Sequence, residues 1–176
     1  MRVLIVALLC AALVACGEAR EGQAEASIPA TIMGEFRAAS VSARTVTGNL
    51  SIERAGLIFD RGIVLYTRTL APRVASERLA RDGDSYAAVL ASSGQLPIEL
   101  RRVTEQSQTG EGAGLCGADR PTYVAIAIEE RSAYLNLLVF AGDDPPGPMA
   151  TQSRLCAHFK YAVPDGARTR EGIVLR

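Results

Sequence analysis

The chain has few of the residues that most often carry chemistry. Of 176 residues, one is a histidine, four are cysteines and none is a tryptophan. With a single histidine no H-E-x-x-H can exist, and no G-x-S-x-G nucleophile elbow occurs. The absence of any C-x-x-C removes the common thiol redox motif, and two sulfurs beside one histidine would make a poor zinc site. Lys+Arg and Asp+Glu each number 19, so no excess of one sign steers the chain toward nucleic acid. Neither a Gly-rich phosphate loop nor an aromatic-basic stacking platform is visible. No catalytic residue, metal ligand set or cofactor is expected.

A long hydrophobic run is also missing. Val3 to Val14 is twelve residues without a polar side chain, whereas a helix needs about 20 to cross a hydrocarbon core of about 30 Å. Twelve residues behind Arg2 suit the apolar stretch of a signal peptide. An ordinary secretory signal would use Ala24-Glu25-Ala26 for cleavage, but that site lies beyond Glu18, Arg20 and Glu21. Leu13-Val14-Ala15-Cys16, which closes the run, resembles the lipobox of bacterial lipoproteins. The resemblance implies a diacylglycerol thioether on Cys16, cleavage before it, and acylation of the new amino group. A thiolate is the natural nucleophile for that alkylation. Two or more acyl chains anchor stably where one does not. Gly17 stands where an Asp often marks inner-membrane retention in that family, so a periplasm-facing outer-membrane anchor is expected, with the inner membrane as the alternative. A bacterial chain also removes meaning from the Asn49-Leu50-Ser51 glycosylation match.

On this reading residues 1–15 are the signal and 16–30 a lipidated tether, small and charged without apolar period. Residues 31–163 form the β domain and 164–176 a tail. Loss of residues 1–15 leaves 161 of the 176 residues, enough for one domain with a core. Cys10 leaves with the signal and Cys16 is lipidated. Cys116 and Cys156 then remain as a disulfide in an oxidising compartment.

The body alternates polar and apolar residues between turn signals. Leu50 and Ile52, Leu57 and Phe59, and Ile63, Leu65 and Thr67 each line one face, with Arg54-Ala55-Gly56 and Asp60-Arg61-Gly62 as turns. "SYAAVL" (85–90) and "LPIELRRV" (96–103) read as further strands, with Pro97 suited to a strand start. "RVASERLAR" (73–81) could form a helical turn or two, and 104–114 reads as a polar loop. "TYVAIAIEE" and "RSAYLNLLVF" form a hairpin, with Val124, Ile126 and Ile128 on one face. After the Pro-rich stretch 142–148, Leu155, Ala157, Phe159 and Tyr161 point inward along a last strand. The fold class is all-β: an antiparallel meander of eight to ten strands closing as a small barrel or sandwich, with little helix. "GEFRAAS" followed by "GNLSIERAGLIFDRG" resembles the opening strands of small lipocalin-like barrels, with Phe36 where that family places tryptophan.

Four features remain as candidates. His158 lies opposite the apolar face of its strand and reads as a surface residue. Asp143-Asp144 could face a hard cation, but such an ion needs six or more oxygens and the surrounding prolines offer none. Glu99, Arg101-Arg102 and Glu129-Glu130-Arg131 read as solvated strand and hairpin positions. Ser92-Ser93-Gly94 resembles the Ser-Gly loop of periplasmic lysozyme inhibitors, although a hairpin turn between "SYAAVL" and "LPIEL", which Ser and Gly favour on their own, is the preferred reading. The expected function is a non-enzymatic, membrane-tethered lipoprotein whose domain binds a protein, peptidoglycan or apolar ligand; hydrolase inhibition is the alternative. If the lipobox reading is right, labelled palmitate enters the wild-type chain and Cys16→Ser takes up none. Equal labelling of both would refute the assignment of Cys16.

Overall fold

The computed structural model describes residues 31–109, 114–129 and 133–164, and the backbone of 168–169 and 172–173. The lipobox, Cys10, Cys16 and the reversal at 130–132 lie outside the described residues.

Eight strands follow one another around a closed antiparallel barrel. They are β1 (Gly34–Ala38), β2 (Leu50–Glu53), β3 (Gly56–Phe59), β4 (Ile63–Thr69), β6 (Pro97–Gln108), β7 (Tyr123–Glu129), β8 (Tyr134–Ala141) and β9 (Arg154–Ala162). A two-residue strand, β5 (Arg73–Val74), pairs outside the ring with the start of β6. Closure depends on two contacts: β4 pairs with β6 over seven residue pairs, and β1 pairs with β9 over two. Beyond the domain, β10 (Arg168–Thr169) and β11 (Gly172–Ile173) pair with each other.

The expected alternation of β2, β3 and β4 is observed. Leu50, Ile52, Leu57, Phe59, Ile63 and Leu65 are all buried inside the ring. Phe36 joins them from β1, with Val124 and Ile126, Leu135 and Leu137, and Phe159 and Tyr161 from the other strands. Eight strands enclose a lumen just wide enough for such side chains to fill. Each of these buried residues contributes roughly 1.5–3 kcal/mol.

Both ends are stoppered. At one end the chain makes a single π-helical turn, Ala43–Thr47, whose Ala43 and Thr47 are fully buried. Thr47 Oγ1 lies 2.8 Å from the Tyr161 hydroxyl, and burial pushes that phenol's pKa well up. Gly48 ends the turn at φ +70°, where an added Cβ would lie 2.8 Å from Asp60 Cβ. Leu115 plugs the same end, in the segment that Cys116 ties to β9 through a disulfide with Cys156.

A second layer lies outside. Between β4 and β6 the chain runs over the outer face of β6, β7 and β8. It buries Ala75, Leu79, Tyr86 and Leu90 against Ile98, Leu100, Tyr123, Ala125, Leu138 and Phe140. Tyr86 meets Phe140 edge-to-face, with centroids 6.4 Å apart at 71°. The segment is fastened to the 142–153 loop by Arg81 N–H to Ala150 (2.9 Å) and Gly147 N–H to Leu79 (3.0 Å). Strands β7 and β8 are therefore buried on both faces, which accounts for their nearly unbroken apolar runs.

Several expectations are corrected here. "SYAAVL" is a helix, α1 (Tyr86–Leu90), and not a strand. Ser85 caps it by accepting from Ala88 N–H at 3.1 Å, a serine cap ahead of a short Ala-containing turn. "RVASERLAR" starts as β5 and contains no helix. Residues 104–108 belong to β6, because ring closure against β4 engages their backbone whatever their side chains. Leu155 packs into the outer layer, since the register shifts between Val139 and Phe140 and swaps the face of the residues beyond.

The disulfide closes a separation of 40 residues. In the chain-entropy model this stabilises by about 4 kcal/mol. Cys116→Ala/Cys156→Ala is expected to lower the urea-unfolding free energy by that order, and reductant should do the same to the wild type. A variant as stable as the oxidised wild type would contradict it.

Candidate binding surface

The most consequential polar group in the domain is buried inside the barrel. On β6, Ile98 and Leu100 face outward beneath the second layer, so Glu99 and Arg101 must face inward. Arg101 has no exposed surface and Glu99 has 6 %. Arg101 Nε donates to Glu99 Oε1 at 2.6 Å, Nη1 donates to the Glu53 carbonyl at 2.8 Å, and Nη2 to the Ile32 carbonyl at 3.0 Å. Glu99 Oε2 accepts the Ile32 N–H at 2.7 Å. One ion pair thus grips both backbone groups of Ile32, as a neighbouring strand would.

This corrects the expectation that Glu99 and Arg101 are solvated; only Arg102 is exposed. The apolar alternation in "LPIELRRV" is real, but its apolar face is the outer one because a second layer covers it. The Ile32 latch closes the end opposite the π-turn, and it sits just before β1. Chain arriving from the N-terminal side is fixed to the domain at this point.

Beside the latch lies a groove of about 1120 Å3 on the outer wall. One bank is the β1 segment Gly34–Arg37 with Asn49, Ser51 and Asp60 behind it; the other is Ala133 and Tyr134, with Ala162 to Pro164 between. Tyr134 is 41 % exposed. A smaller cleft of about 280 Å3, near Gly142, is lined by Asp119, Arg120 and Arg154. Arg154 and Asp119 form an ion pair across it, each more than half exposed.

The other sequence candidates are separated from these sites. His158 is half-buried, and its Nε2 lies 2.9 Å from Asn136 Oδ1 on the neighbouring strand. Its partner is an amide, which neither activates a nucleophile nor orients a base through charge. Ser92, Ser93 and Gly94 follow the helix and do not join two strands as expected. Ala91 turns left-handed, Ser92 N–H bonds Ala87, and Gly94 accepts from Ser76 N–H at 2.9 Å. Asp144 Oδ2 accepts from Thr151 N–H, Gln152 N–H and Thr151 Oγ1, which lowers its pKa. That carboxylate organises its own loop. Among the described residues, no group of three His, Cys, Asp or Glu side chains could hold a metal ion.

Comparison with protein-family models, curated proteins and solved structures finds no match to this chain.

Breaking a buried pair from one side leaves an uncompensated charge and costs about 3–5 kcal/mol. Arg101→Met is expected to destabilise by that order, and Glu99→Gln/Arg101→Met by markedly less, in a double-mutant cycle read by urea unfolding. A double-variant loss equal to the sum of the Arg101→Met and Glu99→Gln losses would show that the pair is not coupled.

Burial, then the Lys160 charge, hold the His158 imidazole below its ordinary 6.5. As pH falls, the unfolded chain therefore takes up this proton first. Stability from this group is complete above 6.5 and declines as pH drops through 6.5 toward the folded value. Between about pH 5 and pH 7.5, His158→Gln should flatten the pH dependence of the unfolding midpoint. An unchanged slope would remove His158 from that titration.

Proposed function

We propose that this chain is a lipid-anchored envelope protein whose barrel binds a partner through its outer wall and catalyses no reaction. The observation that carries this is a matter of exclusion by packing. The lumen is filled by aromatic and branched side chains, and the wall of β6, β7 and β8 is already covered. What stays open is the outer surface of β9, β1, β2, β3 and β4, with the groove beside the latch.

A filled lumen argues against the carrier version of the reading, in which an apolar ligand sits inside the ring. It favours a protein or peptidoglycan partner held at the surface. Residues 16–30, fully extended, reach at most about 55 Å. The latch at Ile32 therefore keeps the groove within that distance of the membrane carrying Cys16. The absent catalytic pattern around His158 supports a non-enzymatic role.

A second reading keeps hydrolase inhibition through Ser92, Ser93 and Gly94. Ser93 is exposed, and the turn is tied back by the Ser76 N–H to Gly94 carbonyl bond, so the loop is accessible. Adding the purified chain to c-, g- and i-type lysozymes tests it, and undiminished activity of all three would eliminate it.

For the leading reading, residue-specific photocrosslinkers at Ser51 and Tyr134 are expected to capture an envelope component in intact cells. A crosslinker at Ala125, beneath the second layer, should capture none. Capture only from the Ala125 position, or from none of the three, would contradict a surface-binding role.

A further inference from the structure

We propose that the groove beside β1 receives an extended peptide as an added strand, one with basic side chains at alternate positions. This rests on the surface-binding reading above and names the chemistry of its partner.

The seam between β1 and β9 is interrupted. β1 pairs with β2 at Gly34, Glu35 and Phe36, but with β9 only at Arg37 and Ala38. Continuing the second register would set Val163 against Phe36 and Pro164 against Glu35. Neither pairs. Val163 N–H continues the β8 ladder through the Ala133 carbonyl at 2.8 Å, so the next residue of β9 that faces β1 is Pro164, which has no N–H to offer. The groove opens where the β1–β9 ladder stops.

Along a strand, successive residues turn their N–H and C=O to alternate sides. Arg37 faces β9, so within Gly34–Phe36 it is the Glu35 N–H and C=O that turn to the β9 side, where they meet no strand among the described residues. Such an edge is a template for strand addition. Here it is recessed between two banks, so a single extended chain fits it better than another barrel wall.

Charge selects the side chains. Glu35 is exposed and has no ion-pair partner among the described residues, and Asp60 is exposed at the same groove. Arg37 lies at the closed end, paired with Ala162. Two carboxylates against one guanidinium favour cations on the added strand. Tyr134, on the far bank, can cover the methylene stem of a lysine or arginine and face its charge.

The test uses the full-length chain in detergent and a fluorescein-labelled heptapeptide of alternating Lys and Val, read by anisotropy. Saturable binding is expected. N-methylation of alternate peptide bonds should weaken it about fivefold, the loss of the ordinary hydrogen bond that a peptide N–H makes to the Glu35 carbonyl. Glu35→Lys should weaken it about fivefold and favour a Glu/Val peptide instead, at unchanged thermal midpoint. No saturable binding, or equal binding of the N-methylated peptide, would overturn the proposal. So would displacement by a muropeptide disaccharide with no effect of N-methylation, which would place a glycan in the groove. If crosslinking at Tyr134 captures a partner while the peptide fails, strand addition falls and the surface-binding reading stands.

Discussion

A guanidinium with no exposed surface survives inside a small barrel only if the groups around it answer its charge and its donors. Arg101 is answered by Glu99, by the Glu53 carbonyl at the β2–β3 turn and by Ile32. These partners come from three separate stretches of sequence, so one side chain ties β6, the β2–β3 turn and the chain leading into β1. Burying a charge in such a place is costly unless it is paired and hydrogen-bonded. The arrangement therefore fixes position more than it adds stability. It holds Ile32 by both backbone groups, and that sets where β1 begins and which of its residues meet β2.

From that constraint the rest of the architecture follows. β1 begins just after the latch and pairs first with β2, while on its other side the contact with β9 stops where Pro164 would face Glu35, and the seam stays open there. The opposite end is closed by different means, the π-turn with its Thr47–Tyr161 contact and the Leu115 segment fixed by the disulfide. Between the two stoppers the lumen has the character of a packed core. The outer layer of residues 70–96 then removes a third of the wall from use as a surface. The surface that these three closures leave open is the groove and the strands around it.

Much of this was legible in the residues. The short β2, β3 and β4 strands were read at their observed positions because their alternation is clean and a glycine marks each turn. The pairing of Cys116 with Cys156 followed from counting. Barrel against sandwich was not legible, because closure lies in pairings between β4 and β6 and between β1 and β9. Residues 104–108 show the same problem: polar side chains hid a strand whose backbone completes the ring. The latch was invisible for a sharper reason. Period-two alternation reports that a strand has two unlike faces, and without sight of the second layer Glu99 and Arg101 fall on the face assumed to be wet. "SYAAVL" misled because a five-residue apolar stretch suits either element, and only the Ser85 cap decides.

The placement of the groove requires Ile32 to be part of the barrel and not the last residue of a loose tether. Native-state hydrogen exchange at the Ile32 amide tests this directly, because the Glu99 carboxylate is its acceptor. The amide should be protected to nearly the free energy of global unfolding, like Leu135 and Leu137 in the core. Exchange of Ile32 at the rate of an unstructured chain would contradict the latch, and with it the placement of the groove.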